Sequence, residues 1–387
     1  MARKRIERNI AYDEGRQRYY VNFDFGKDPD SGKQIKKTVT YTKLKDARAA
    51  LRKHEAQRDE GQIVLPRDLT LAQWLKQWMD SVVKLSRAVT TVYAYEHMLQ
   101  GYIIPLLGDI PLQKLAPLQL QDYYAALMRE KGLSSNTARK HHDFLNAALK
   151  MAVRQGILNH NPAQLVEAPK VLRPEIRFYT LQEVHSLLKL SEGTKVEVLI
   201  KLAALLGLRR EEILGLTWDC VDFDLKKIEI RRVRTAAGGI VVNKQPKTAT
   251  SRRTLYMPDE LEDTLRRAQE KQQQYRSILG TDYYQEDDAP AGYVFAHEDG
   301  RPVRPNYASD LFTQFIQSHG LPHITLHGLR HSFASIANAM GMPMFDIGKA
   351  LGHSSSATTS KVYTHLMDQD HRMLLERMWK SDDPAGT

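Results

Sequence analysis

The first sixty residues alternate between apolar and polar positions, which is the pattern of strands that bury one face. Residues 18–25 place aromatic and aliphatic side chains on one face and polar side chains on the other. Residues 34–42 form a second β-rich run, and a strong Asp-Pro-Asp-Ser-Gly turn separates the two. Residues 44–60 then have a charged helical pattern that stops at Gly61. We expect a small three-stranded sheet followed by a helix.

Between residues 62 and 170 the apolar positions recur at helical spacing. Residues 62–68, which include Pro66, indicate a linker, and Thr70 suits the N-cap of the helix that follows it. A longer helix is predicted to begin at Ser134, with an apolar stripe through Leu149. This region is therefore predicted to be a helical bundle.

From residue 171 to the C-terminus, helical and β patterns are mixed. Residues 196–206 are strongly apolar and predict a buried helix, and an amphipathic helix is predicted after residue 370. Three strands are predicted, at residues 225–234, 240–242 and 252–257. The whole chain thus reads as an α+β multidomain protein, with domains 1–61, 62–170 and 171–387.

Composition narrows the class of protein. The chain has 387 residues, 42% of them hydrophobic, which is enough for more than one core. A single cysteine, Cys220, excludes a disulfide framework and a cysteine-based zinc finger. We find no signal peptide, no apolar run long enough to span a membrane and no His-Glu-x-x-His pattern. We therefore expect a cytoplasmic protein that acts without a membrane.

The positive charge is confined to the first part of the chain. There are 56 Lys and Arg residues against 46 Asp and Glu, a formal net charge of +10. Residues 1–60 have a net charge of +6, residues 61–170 a net charge of +4, and the remainder a net charge of zero. Such segregation favours a polyanionic partner over a uniformly solvated surface.

Two groups of side chains are candidate DNA contacts. The first lies on the polar face of the sheet, since β-sheets can read DNA grooves, although a solubilising cap is the alternative interpretation. The second lies in the first turns of the helix at Ser134, because a helix N-terminus favours phosphate. The candidates are Arg18, Tyr20, Asn22, Lys36 and Thr38 in the sheet, and Thr137, Arg139, Lys140 and His141 in the helix.

The candidate catalytic residues lie in the last predicted domain, in a series of short motifs with a fixed order. Each is weak alone, since an isolated His-x-x-Arg arises by chance in a chain this rich in both residues. Their order along the chain is the specific signal. The motifs are Arg209 followed by Glu212, Lys247 between two strands, His327-Gly-Leu-Arg330, Leu-Gly-His353, and Tyr363 before Thr-His.

This order resembles the tyrosine recombinase family, the integrases of phages and conjugative elements. The resemblance covers nearly the whole chain and implies that Arg209, Lys247, His327, Arg330, His353 and Tyr363 are catalytic, with Glu212 orienting Arg209 or His327. It also implies an arm-type DNA-binding domain over residues 1–61 and a core-site DNA-binding domain over residues 62–170. The reaction of this family is attack of a tyrosine hydroxyl on a DNA phosphodiester, which leaves a 3′-phosphotyrosine and a free 5′-hydroxyl.

The residue types suit that reaction. A phosphodiester under attack gains negative charge, which planar and permanently charged guanidinium groups can neutralise. We therefore assign Arg209 and Arg330 to the phosphate and Lys247 to protonation of the leaving oxygen. His327 and His353 would donate hydrogen bonds to the same phosphate, and His327 would also help to remove the Tyr363 proton. With cations in place of a metal, we expect no metal and no cofactor.

The resemblance also implies partners. These are duplex DNA with core-type and arm-type sites, a homotetramer on that DNA, and possible excisionase and DNA-bending proteins. A type IB topoisomerase or a resolving recombinase would use the same chemistry. A non-enzymatic DNA-binding regulator or architectural protein would account for the charge alone.

Overall fold

A computed structural model describes residues 3–27, 32–59, 64–172, 177–244 and 252–352. The chain divides into two units, Met1–Arg173 and Pro174–Thr387. Lys247, His353, Tyr363 and the predicted C-terminal helix lie outside the described residues. The further division of the first unit at residue 61 remains a prediction.

The N-terminal sheet has four antiparallel strands, one more than the sequence pattern predicts. They are β1 (Lys4–Glu7), β2 (Ile10–Asp13), β3 (Arg18–Lys27) and β4 (Gln34–Tyr41), in that order across the sheet. The helix α1 (Leu44–Asp59) packs on one face, and Ile10, Val21, Phe23, Ala47 and Leu51 form the core between them. The prediction of three strands was wrong because β1 is short, charged and mostly exposed, so that it lacks an apolar alternation.

Helices build the rest of the first unit. They are α2 (Leu71–Trp78), α3 (Lys84–Ser86), α4 (Val89–Met98), α5 (Ile104–Leu107), α6 (Pro117–Arg129) and α7 (Ser135–Arg154), with short π-helical turns after α2 and α4. Thr70 caps α2 as predicted, and its side chain accepts a hydrogen bond from the Gln73 N–H. The apolar stripe of α7, including Phe144, Leu145 and Leu149, is fully buried in this core.

The second unit combines helices with two small antiparallel sheets. Its helices are α8 (Leu181–Ser191), α9 (Glu197–Leu206), α10 (Arg210–Gly215), α11 (Asp259–Leu279), α12 (Pro305–Ser318), α13 (Leu326–Ala339) and α14 (Met344–Leu351). Its strands are β5 (Val221–Asp222), β6 (Lys227–Ile230), β7 (Val233–Ala237), β8 (Ile240–Lys244) and β9 (Arg253–Tyr256). The apolar helix predicted at 196–206 is α9, which is buried along most of its length.

The predicted strand at 225–234 is two strands that belong to different sheets. β5, β6 and β9 form one sheet, whereas β7 and β8 form a separate hairpin. A close approach of α10 occurs at the break, because a Cβ on Gly215 would lie 2.8 Å from both Arg232 O and Val233 Cα. The prediction of one continuous strand was wrong because the alternation of apolar residues along the strand gives no information about this contact.

Two further observations bear on function. Within the described ranges, no helix has the length and apolar character needed to cross a membrane. The same part of the chain contains no group of three or more His, Cys, Asp or Glu side chains that could bind a metal ion.

Candidate active site

Arg209 lies in the turn between α9 and α10. The preceding Gly207 ends α9 in the left-handed region (φ +60°), and a Cβ there would lie 2.7 Å from Leu351 Cδ2 and Phe333 Cδ1. Glu212, one turn into α10, accepts hydrogen bonds from the Arg209 backbone N–H and from its Nη1, both at 2.8 Å. The turn and the carboxylate therefore fix both the backbone and the guanidinium of Arg209.

Arg330 comes from the buried side of α13. It is 2% exposed, and its Nη1 donates to Gly207 O at 2.8 Å. Its Nη2 donates to Leu351 O at 2.6 Å. Arg330 therefore connects the turn that carries Arg209 to the end of α14.

The end of α14 is where the arginines converge. Carbonyl oxygens at a helix C-terminus lack intrahelical partners and attract positive charge. Three successive carbonyls each accept from a different arginine: Ala350 from Arg253 Nε at 2.6 Å, Leu351 from Arg330 Nη2 at 2.6 Å, and Gly352 from Arg209 Nη2 at 3.2 Å. The predicted catalytic residue His353 follows Gly352 directly in the sequence.

Glu212 is a buried carboxylate between two of these arginines. It is 2% exposed, and Arg253 donates Nη1 to its Oε1 at 3.0 Å and Nη2 to its Oε2 at 2.9 Å. Burial alone would raise the pKa of Glu212, but the hydrogen bonds and charge of Arg253, with the charge of Arg209, lower it to about 2. Glu212 is therefore ionised at neutral pH, which agrees with its predicted orienting role.

The sequence motifs do not identify Arg253. It is the first residue of β9, where its backbone pairs with Ile230. The predicted strand at residues 252–257 begins with two successive arginines, Arg252 and Arg253, and the sequence pattern does not distinguish between them. Only the fold shows that Arg253 is the one that faces Glu212.

His327 lies on the first turn of α13, where Thr325 caps the helix by accepting a hydrogen bond from the Gly328 N–H at 3.0 Å. Its side chain is exposed, and the ring of His331 stands edge-on to it, with the centroids 4.7 Å apart. Partial desolvation, followed by the charges of Arg330 and Arg209, lowers the pKa of His327. His327 is therefore neutral at physiological pH, the form that can accept a proton.

The structure thus brings together the predicted residues Arg209, Glu212, His327 and Arg330. The other three, Lys247, His353 and Tyr363, are not among the described residues. Their assignment stays a prediction that rests on the sequence.

Four of the five candidate DNA contacts on the sheet are exposed. Asn22 and Thr38 are directly opposite each other, and Thr38 Oγ1 donates to Asn22 Oδ1 at 2.6 Å. Arg18 and Lys36 are also exposed. Tyr20 is only 9% exposed, and the Arg3 guanidinium covers its ring at 3.8 Å from the centroid. The prediction that Tyr20 contacts DNA was therefore wrong, because its ring is buried beneath the Arg3 side chain.

The candidate DNA contacts on α7 also divide into residues that are at least partly exposed and one that is buried. Lys140 is exposed, and Thr137 and Arg139 are partly exposed, with Arg139 Nε 2.9 Å from Asp143 Oδ1. His141 is 1% exposed, and its Nδ1 shares a hydrogen bond with the Tyr123 hydroxyl at 2.7 Å. The prediction that His141 contacts DNA was therefore wrong. Its place on the helix puts it on the apolar stripe, where Nδ1 has a hydrogen-bond partner and the buried Nε2 has none among the described residues.

The burial of His141 predicts an acid-sensitive bundle. Burial, together with the charge of His97, lowers its pKa from 6.5 to about 4. The unfolded chain therefore binds a proton between these values and the folded chain does not, so stability falls as the pH decreases through this window. His141→Gln keeps a hydrogen-bond acceptor but does not titrate. We therefore expect the free energy of unfolding of the wild type, relative to that of this variant, to fall by about 1.4 kcal/mol for each pH unit below 6.5. Urea unfolding of both proteins between pH 7.5 and 4.5 measures this difference, and parallel curves would contradict it.

Comparison with known proteins finds similarity to integrases and tyrosine recombinases. The model of the phage integrase family matches residues 177–370, and that of the phage integrase N-terminal SAM-like domain matches residues 70–128. A tyrosine recombinase XerC-like protein of Caldanaerobacter subterraneus subsp. tengcongensis is 27% identical, over 94% of this chain and 96% of its own. The ICEBs1 integrase of Bacillus subtilis is 25% identical, over 93% and 96%.

Solved structures show the same fold. The Tn1549 transposon integrase in complex with a circular intermediate DNA has a TM-score of 0.67 at 21% identity, covering 80% of this chain and 99% of that one. A lambda integrase tetramer bound to a Holliday junction has a TM-score of 0.56 at 18% identity, covering 93% and 96%.

Proposed function

Because the chain belongs to the phage integrase family and is a site-specific tyrosine recombinase, we propose that Arg209 and Arg330 bind the scissile phosphate of DNA for attack by Tyr363. The enzyme breaks and rejoins DNA, in the manner of integrases that insert and excise mobile elements. The observation that supports the proposed site is the convergence of Arg209 and Arg330 on the end of α14, one residue before His353.

In the proposed mechanism the cations act on the phosphate and other groups move protons. Arg209 and Arg330 neutralise the charge that develops on the non-bridging oxygens. A tyrosine hydroxyl ordinarily has a pKa of about 10, so attack by Tyr363 at neutral pH needs a proton acceptor, and neutral His327 is suited to that role. Tyr363 then bonds to phosphorus, and the 5′-oxygen leaves with a proton from Lys247. The phosphotyrosine bond is retained until a second DNA hydroxyl attacks it.

His353 and Glu212 support this arrangement. His353 is assigned a hydrogen bond to the same phosphate, because it follows the carbonyls that the arginines bind. Glu212 stays ionised and orients Arg209. Residues of the chain thus supply every charge and proton that the proposed step uses, and the proposal includes no metal or cofactor.

A nicked suicide substrate tests the proposal. In such DNA the strand that would be rejoined is lost after cleavage, so that the covalent intermediate accumulates. We expect the purified chain to form a protein–DNA adduct, and peptide mapping to place the DNA on Tyr363. An adduct on another residue would contradict the assignment of Tyr363. Relaxation of supercoiled DNA without a recombination site would instead favour the topoisomerase alternative.

The exposed basic residues of the first unit are proposed to bind duplex DNA. Lys140→Ala is expected to weaken DNA binding equally for all sequences and to reduce the slope of log K against log salt by about 1, since one phosphate contact is lost. Lys150→Ala is the matched control, because Lys150 is exposed at the other end of the same helix. Filter binding between low and moderate salt measures both, and equal slopes for the two variants would contradict the contact.

Residues 1–61 are proposed to bind arm-type sites, separately from the core-type sites of the scissile phosphates. Their sheet and α1 have a core of their own, formed by Ile10, Val21, Phe23, Ala47 and Leu51. Deleting residues 1–61 is therefore expected to abolish binding to arm sites while leaving cleavage of a core site intact. Gel-shift and cleavage assays on the two kinds of DNA measure this, and a parallel loss of both would contradict it.

Assembly on DNA is also proposed. We propose that the chain acts as a tetramer, because strand exchange between two duplexes needs four cleavage events. An excisionase and a DNA-bending protein would set the direction, and the enzyme would act in the cytoplasm on the nucleoid.

A further inference from the structure

Arg253 is an additional arginine within the candidate active site. Its side chain is 6% exposed, and each nitrogen of its guanidinium has an acceptor. Nη1 and Nη2 bind the two oxygens of Glu212, in a bidentate pair, and Nε binds Ala350 O. This geometry depends on the planar fork of arginine, and a lysine could not reproduce it.

Arg253 and Arg209 share the same carboxylate. Arg209 Nη1 binds Glu212 Oε1, which also accepts from Arg253, whereas Oε2 accepts from Arg253 and from the Arg209 backbone N–H. Arg209 thus makes a single side-chain contact with Glu212, and its side chain stays 31% exposed. Of the three guanidinium hydrogen bonds to the buried carboxylate, Arg253 therefore donates two and Arg209 one.

The charge balance has a consequence for catalysis. A buried carboxylate that loses one of two cationic partners binds the remaining one more strongly. Without Arg253, both oxygens of Glu212 would attract the guanidinium of Arg209. Arg209 would then direct its donors and its charge to Glu212, at the expense of a bound phosphate.

We propose that Arg253 is a positioning residue: by neutralising Glu212 and binding the end of α14, it keeps Arg209 available to the scissile phosphate. This inference rests on the proposed function, in which Arg209 contacts that phosphate. In this scheme Arg253 acts through Glu212, because its Nη1 and Nη2 are both bound to that carboxylate.

A double-mutant cycle tests whether Arg253 acts through Arg209. We expect Arg253→Gln to slow single-turnover cleavage of the suicide substrate by about 30-fold, and by less than about 3-fold in an Arg209→Ala background. A merely structural role would lower both rates by the same factor. Equal losses in the two backgrounds would therefore overturn the proposal.

A rescue experiment tests the charge balance. Replacing Glu212 as well, in Arg253→Gln/Glu212→Gln, removes the unpaired carboxylate and is expected to restore cleavage at least about 5-fold over Arg253→Gln. Arg266→Gln is the matched control, because Arg266 also pairs with a glutamate, Glu262, but its side chain is 48% exposed and belongs to α11, outside the candidate active site. It should cleave as the wild type does. A double variant slower than Arg253→Gln would overturn the proposal.

A measurement that needs no cleavage separates this inference from the proposed function. In protein labelled with 13C at the glutamate carboxyls, we expect Arg253→Gln to raise the pKa of Glu212 above its wild-type value of about 2. An unchanged pKa would overturn the role of Arg253, even if cleavage is observed. If the wild type forms no adduct but the pKa rises, the proposed function fails while the coupling of Arg253 to Glu212 stands.

Discussion

A Tyr363→Phe protein is expected to bind its DNA as the wild type does and to form no covalent adduct. The substitution removes a single oxygen atom, the nucleophile, and leaves the aromatic ring. We therefore expect adduct on the suicide substrate to fall by at least about 10⁴-fold, since no neighbouring group replaces a missing nucleophile. Denaturing gels of labelled DNA measure the adduct, and gel shifts measure binding.

Tyr307→Phe is the matched control for this experiment. Tyr307 belongs to the same unit, is 44% exposed and stacks on His297, with ring centroids 5.6 Å apart. Losing its hydroxyl should leave both adduct formation and binding unchanged. If Tyr363→Phe still formed adduct at a substantial rate, another hydroxyl would be the nucleophile and the assignment would be wrong.

The element types could be predicted from the sequence because most of the chain has a clear apolar period. α9 and α7 were predicted because their apolar residues fall on a wide stripe, and the structure buries them. β1 could not be predicted, since it is paired on one side only and exposes charged residues. The break between β6 and β7 could not be predicted either, because it lies against Gly215 of α10, which is distant in sequence.

The site could be predicted where the order of motifs is specific, and not where it depends on packing. Arg209 is hydrogen-bonded to Glu212 and Arg330 binds the turn that precedes Arg209, whereas the catalytic roles of these residues and of His327 stay predictions. His141 was misassigned because basic residues flank it, while helical phase alone decides that it is buried. Arg253 was missed because an arginine beside another arginine gives no sign of which one faces a carboxylate that precedes it by about forty residues.

Arg330→Lys is expected to reduce cleavage by about 10²- to 10³-fold, the usual effect of losing one group that stabilises developing charge. Lysine keeps the charge but cannot reach both Gly207 O and Leu351 O, which the guanidinium joins at 2.8 and 2.6 Å. One of these buried carbonyls then loses its partner, which costs about 1–3 kcal/mol of stability. The variant therefore combines a loss of stability with a loss of chemistry, and the two need to be separated.

Lys201→Met separates them, because Lys201 is as deeply buried but lies outside the site. Its Nζ binds Thr264 Oγ1 at 3.0 Å and Glu197 Oε1 at 3.2 Å. Removing the ammonium group is therefore also expected to lower the free energy of unfolding, by about 3 kcal/mol. Below the unfolding temperature of both variants, we expect Lys201→Met to cleave the suicide substrate at the wild-type rate and Arg330→Lys to cleave it slowly. If cleavage followed the measured stability of the two variants, Arg330 would serve the fold alone and the phosphate would have to be bound without it.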